Sequence, residues 1–223
     1  MNEVTLSNEL DQALPAKPKY RGTSHFYGFL ASLVMGTVIV LKAPNTKSAI
    51  AVSIYSVCIS VMLGTSAAFH RHHWSPKARR KMRRLDHSMI FLAVAGTYTP
   101  VATLGLYGDT QRVILWLVWV GAAVGILQQM IWLDAPKWTT ATVYLALGWV
   151  AIGVLPELTK TSGFGALSLL VIGGILYSLG AIVYARKRPD PWPKTFGYHE
   201  VFHLFVVAAV LCHYFAIFIF IMK

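Results

Sequence analysis

Charged side chains are scarce in this 223-residue chain, and acidic ones are the scarcest. Only 13% of the residues are charged and Asp and Glu together number 9, whereas 56% of the residues are hydrophobic. A soluble globule of this length needs more polar groups than that to cover its surface. The composition therefore excludes a soluble protein and predicts a chain whose apolar surface faces lipid.

Cysteine is nearly absent, as are several motifs that would indicate other functions. Cys58 and Cys212 each lie inside a hydrophobic run and form no CxxC pair. They indicate neither a disulfide framework nor a thiolate metal site. The sequence also has no phosphate-binding glycine loop and no internal repeat, so a transporter built on inverted repeats has little support.

The first 24 residues lack the basic start and the apolar core of a signal peptide. They are polar and include Glu3, Glu9, Asp11 and two prolines. We expect residues 1–24 to form a cytoplasmic polar tail, partly disordered, and residues 25–223 to form a single transmembrane domain.

The rest of the sequence alternates between apolar runs and polar joints. Each run is close to the ~20 residues that an α-helix needs to cross a bilayer. Because the hydrocarbon core holds no water, every backbone donor needs an internal partner, and runs of this length form helices. We predict an all-α membrane protein, a bundle of seven transmembrane helices, with spans at 26–42, 49–70, 86–106, 112–133, 138–156, 164–185 and 200–222.

The 20 Lys and Arg residues are distributed unevenly between the two predicted sides. The tail and the joints after spans two, four and six hold fifteen, and the other side holds Lys42, Lys47, Arg112, Lys160 and Lys223. Because basic residues concentrate in cytoplasmic joints, the N-terminus is predicted to be cytoplasmic and the C-terminus outside. This topology, with contacts to anionic lipid, explains the net charge of +11 without nucleic acid as a partner.

Gly121 and Gly125 lie four residues apart in the fourth predicted span. This spacing permits close contact between helices, either within one chain or between two. Glycine is common in such spans, so the motif leaves the oligomeric state open.

Five polar residues are predicted to meet at the cytoplasmic ends of three spans. His70 ends span two, Asp86 begins span three, and His199 and His203 lie one helical turn apart at the start of span seven. Ser66 lies one turn deeper than His70 on the same helix face. A carboxylate this close to the hydrocarbon is costly and indicates a functional partner.

Three histidines form a ligand set that suits zinc with one open position. Such a site leaves room for a water whose pKa the ion lowers to about 7. Asp86 is then better placed to accept a hydrogen bond from that water, as a general base, than to be a fourth ligand, and Ser66 could orient the water or a substrate carbonyl. Alternatively, His199 and His203 could simply be polar residues at headgroup level.

The stretches Ser66-AAF-His70, Asp86-HSMIFLAVAGTYTP and His199-EVF-His203, in this order, resemble the hemolysin III family of bacterial membrane proteins. That family belongs to the progestin and adipoQ receptor group, with the adiponectin receptors, and is more distantly related to the alkaline ceramidases. The resemblance implies a multi-pass protein of the bacterial inner (cell) membrane, with a zinc ion on the cytoplasmic side bound by His70, His199 and His203. It also implies that Asp86 and Ser66 lie next to the metal ligands.

Three functions remain open from the sequence. The first is a zinc-dependent hydrolase that cleaves an amide or ester bond of a membrane lipid, with Asp86 and Ser66 as catalytic residues. The second is a non-catalytic sensor or regulator of the state of the membrane. The third is a lytic protein, but the chain has no amphipathic helix able to change from a soluble to an inserted form. An acid beside an open metal position favours the first.

Overall fold

The computed structural model describes residues 17–133 and 137–223. Across these two ranges the chain is helical and contains no β-strand, and a single isolated bridge joins Trp192 and Phe196. The predicted all-α class is therefore confirmed. Most of the predicted polar tail, residues 1–16, lies outside the described residues.

Residues 17–133 and 137–223 form seven α-helices, two of which are extended by tighter or wider helical turns. Asn45 caps the second, since its Oδ1 accepts a hydrogen bond from Ser48 N at 2.9 Å. The bounds are Thr23–Leu41 (α1), Thr46–Arg71 (α2), Pro76–Gly105 (α3), Gly108–Ile131 (α4), Lys137–Gly148 (α5), a 3₁₀ segment Trp149–Val154, Leu155–Arg186 (α6), Tyr198–Phe215 (α7) and a π-helical turn Ala216–Ile221.

The third helix begins earlier than predicted. We expected span three to start at Asp86, but α3 starts at Pro76. Ser75 is its N-cap, with Oγ accepting from Ala78 N, and proline is favoured in the first turn because its missing N–H needs no partner there. Asp86 thus lies about three turns inside a continuous helix. The first turns of α3 also carry six of the basic residues that we assigned to the joint after span two, namely Lys77, Arg79, Arg80, Lys81, Arg83 and Arg84.

Within the described residues, six helical stretches are long and apolar enough to cross a membrane. The chain is thus a multi-pass membrane protein. The predicted fifth and sixth spans fall together in one stretch, Ala141–Arg186, of 46 residues. A straight helix of that length would measure about 69 Å, more than twice the hydrocarbon thickness.

This long stretch is not straight. Gly163 has a φ of 80° and a ψ of 172°, a conformation that interrupts the helix and that side chains other than glycine rarely adopt. The indole of Trp149 donates a hydrogen bond to Ser178 Oγ at 2.9 Å, which brings the α5 end of the stretch against the middle of α6. The chain therefore folds back on itself within this stretch.

Small residues set the distances between neighbouring helices. A Cβ on Gly96 of α3 would lie 2.4 Å from the Cβ of Cys58, so α2 and α3 could not approach as closely with alanine there. Gly121 and Gly125 of α4 pack in the same way against Leu147 and Phe91 of the same chain. The glycine pair of the fourth span is therefore used for packing within the monomer.

Candidate metal centre

The three predicted histidine ligands meet at one end of the bundle. His70 comes from the last turn of α2, and His199 and His203 come from the first two turns of α7. One ligating atom from each can be chosen so that all lie within 4.8 Å of one another. His70 and His203 are buried and His199 is half-buried. The helix periodicity that places His199 and His203 on one face accounts for this convergence.

The spacing of these nitrogens suits a metal ion. Two imidazole nitrogens bound at about 2.0–2.1 Å to one tetrahedral ion lie about 3.3 Å apart. The Nε2 atoms of His70 and His199 lie 3.1 Å apart. The widest separation, 4.8 Å, is within reach of that value after a small rotation of one ring. The donor set therefore fits a metal ion, with three nitrogen ligands and no thiolate.

A carboxylate lies directly beside this cluster. Asp86 Oδ2 is 3.7 Å from His70 Nε2, and the Asp86 side chain is only 12% exposed. The Ser66 hydroxyl is a hydrogen-bond partner of the Asp86 carboxyl group and is itself buried. Thus α2 supplies both His70, a candidate ligand, and Ser66, which contacts the Asp86 carboxyl group. The structure brings all five predicted site residues to one place.

A buried ion pair closes the end of the bundle next to the histidines. Glu200 Oε1 lies 2.6 Å from Arg21 Nε, and Glu200 Oε2 accepts a hydrogen bond from Gly197 N at 2.8 Å. Glu200 therefore caps the N-terminus of α7, where a carboxylate favours the helix dipole. It also ties the start of α7 to the segment that precedes α1.

Sequence reasoning missed a fourth histidine at the site. His25, in the first turn of α1, stacks on His203 with ring centroids 3.7 Å apart and planes inclined by 9°. It is 3% exposed. Its position at the edge of the first apolar run, like that of His70 and His199 in their runs, was the signal that could have identified it.

A large apolar cavity opens from the histidine cluster. It is open at its mouth and is lined mostly by apolar side chains. Asp86 and His203 line its polar end, and Val101 and Leu155 line it far from the cluster. The fifteen residues between Asp86 and Val101 correspond to roughly 22 Å along α3. The walls come mainly from α3, α5, α6 and α7.

Comparison with known proteins finds one family over nearly the whole chain. The model of the family described as Haemolysin-III related matches residues 15–214. Hemolysin-3 of Bacillus cereus is 30% identical over 198 residues, which cover 87% of each chain. The human monocyte to macrophage differentiation factor is 23% identical over 221 residues, 93% of this chain and 90% of its own. The Drosophila melanogaster adiponectin receptor protein is 30% identical over 190 residues, 76% of this chain and 42% of its own.

Proposed function

Since the chain belongs to the haemolysin III-related family, we propose that it is a zinc-dependent hydrolase that cleaves amide or ester bonds of lipids in the bacterial cell membrane. The observation that carries this proposal is the Asp86 carboxylate, 3.7 Å from His70 Nε2, at the polar end of an apolar cavity. A purely structural metal site does not need an acid beside its ligands.

His70, His199 and His203 would hold the ion. Zinc bound by three histidines polarises a carbonyl and lowers the pKa of a bound water to about 7. As a general base, Asp86 would accept a proton from the attacking water. It would later return this proton to the leaving amine or alcohol. Ser66 orients the Asp86 carboxyl group through their hydrogen bond.

The cavity suits one acyl chain of a membrane lipid. Its length of roughly 22 Å along α3 exceeds half of a ~30 Å hydrocarbon core, so it can take a chain that enters from one leaflet. Its walls away from the histidine cluster are mostly apolar. The scissile carbonyl then lies at the polar end, beside Asp86 and the three histidines.

Two tests on purified protein examine this function. Metal analysis should find about one zinc per chain, and incubation with a panel of lipid amides and esters should release fatty acid. The same sample stripped of metal by a chelator should release none, and added zinc should restore release. Equal release with and without metal would contradict the proposal.

The cavity can be tested by filling it. Ala151 of the 3₁₀ segment lines the cavity beside Tyr98, which lies twelve residues beyond Asp86 on α3. Ala151→Phe should lower turnover of long-chain lipids roughly tenfold, because an added ring occupies space that the acyl chain needs. Zinc content should be unchanged, and a short-chain substrate should be affected less than a long one. Equal loss for both chain lengths would argue against the cavity as the acyl site.

We further infer seven membrane crossings, with the N-terminus in the cytoplasm and the C-terminus outside. The break at Gly163 and the Trp149–Ser178 contact support two crossings within Ala141–Arg186. The distribution of basic residues supports the orientation.

Reporter fusions test this topology. A reporter inserted near Lys77 should be cytoplasmic, one inserted near Gly163 should lie outside, and one fused after Lys223 should also lie outside. A cytoplasmic C-terminal reporter would require an even number of crossings and would overturn the count of seven.

A second candidate is a sensor or regulator without turnover, because a relative over 76% of this chain is named a receptor protein. A zinc ion would then only fix the ends of α2, α3 and α7. Zinc bound without lipid hydrolysis on the panel would favour this alternative. The name Hemolysin-3 of another relative adds lysis as a third candidate, which release of haemoglobin from erythrocytes by the purified protein would test.

A further inference from the structure

The plane of a ligating imidazole has to be fixed by its surroundings. The χ2 torsion of histidine is broad and roughly two-fold, so rotamer preference alone does not hold the ring. In most metal sites the second ring nitrogen donates to a carboxylate or a carbonyl, which fixes both tautomer and orientation. The metal affinity depends on that partner.

His203 has no such partner within the described residues. Its Nδ1 is buried and makes no hydrogen bond there. The side chain is 1% exposed, so bulk water does not supply one either. Instead, the His203 ring stacks on the His25 ring, with centroids 3.7 Å apart and planes nearly parallel.

The first turn of α1 is held firmly against the site. Gly22 has a φ of 76°, and a Cβ there would lie 2.7 Å from the Cβ of His70, so glycine allows the backbone to lie directly on a ligand. The buried pair between Arg21 and Glu200 fixes the same turn to the start of α7. The His25 ring is therefore held in place and can fix the orientation of the His203 ring.

We propose that His25 is a positioning residue that fixes the ring plane of His203 by stacking, in place of the usual hydrogen bond. This inference rests on the proposed zinc site. His25 is not a member of the cluster formed by His70, His199 and His203. It acts through His203 and does not bind the ion.

Paired substitutions separate the ring of His25 from its nitrogens. His25→Phe keeps a flat ring without polar atoms, whereas His25→Asn keeps a polar group without a ring. If stacking orients His203, zinc affinity should fall roughly 10- to 100-fold in His25→Asn and stay near the wild-type value in His25→Phe. Competition with a chromogenic chelator on detergent-purified protein measures this affinity.

Cobalt provides a readout of geometry that a general loss of stability would not change. The visible absorption of the Co²⁺-loaded protein should be the same in wild type and His25→Phe and altered in His25→Asn. Ile39→Ala is the matched control, because it removes a fully buried α1 side chain about 21 Å from His25 along the helix. It should lower thermal stability and leave metal affinity and the cobalt spectrum unchanged.

Each outcome decides the inference. Wild-type affinity and spectrum in His25→Asn would overturn it, as would equal losses in His25→Phe and His25→Asn, which would assign the role to the ring nitrogens. Absence of metal from the wild-type protein would overturn it together with the zinc site. If His25→Asn is not monodisperse, His25→Leu takes its place, since it keeps apolar volume without a ring. None of these measurements uses lipid turnover, so failure of the hydrolase proposal alone would leave the result intact.

Discussion

Replacing His203 with alanine is expected to reduce zinc affinity by at least about 100-fold, because a site with two nitrogen ligands binds far more weakly than one with three. The loss should be large because His203 is 1% exposed and its removal leaves only His70 and His199 of the proposed ligand set. His70→Ala and His199→Ala should each lower zinc affinity by a similar factor. Elemental analysis and chelator competition on purified protein measure the effect.

The matched control for metal content is His213→Ala, the same substitution on the same helix. His213 lies ten residues beyond His203, and its Nε2 is 3.2 Å from the carbonyl oxygen of Leu170. This variant should retain its zinc. Full zinc occupancy in His203→Ala would remove the assignment of the ligands.

Asp86→Asn is expected to keep most of the zinc and to lower lipid amide hydrolysis by roughly 10²-fold or more, the usual scale of general-base catalysis. An amide cannot take up the proton, but it can still form a hydrogen bond with Ser66, so the packing of α2 against α3 should survive. Fatty-acid release at equal zinc content measures the effect.

Asp109→Asn is a suitable control, because Asp109 is exposed at the other end of the bundle and pairs with Arg112. It should not alter zinc content or turnover. Equal rates for wild type and Asp86→Asn would exclude Asp86 from the mechanism. Zinc without hydrolysis in both would favour the sensor.

Helix periodicity and segment boundaries were enough to predict that the five candidate residues lie close together. His199 and His203 share a face because they are four residues apart, and Ser66 and His70 do so for the same reason. Their convergence also required that the end of α2 and the start of α7 lie on the same side, as the positions of the basic residues predicted. The site therefore depends on features that can be read along the chain.

The features that sequence reasoning missed depend on contacts between distant segments. The contact of His25 with His203 brings together the first and last helices, and no local pattern encodes it. The start of α3 at Pro76 was not predicted, because its first turns are rich in Lys and Arg and the apolar pattern begins only near Asp86. The stretch around Gly163 was predicted as two apolar runs separated by a polar joint, but Glu157 and Lys160 of that joint lie within α6, so the joint is helical and is not a loop.

The wide separation of the candidate metal ligands along the chain has a consequence for biosynthesis. His70 and His199, whose ring nitrogens lie 3.1 Å apart, are 129 residues apart in sequence. At 5–20 residues per second, the ribosome needs about 6 to 26 s to make the intervening segment. Two of the three candidate ligands are on α7, so a nascent chain would not hold the full ligand set before α7 has been made. Loading of the proposed ion would therefore follow the synthesis of α7, and it would distinguish chains that contain α7 from chains that end before it.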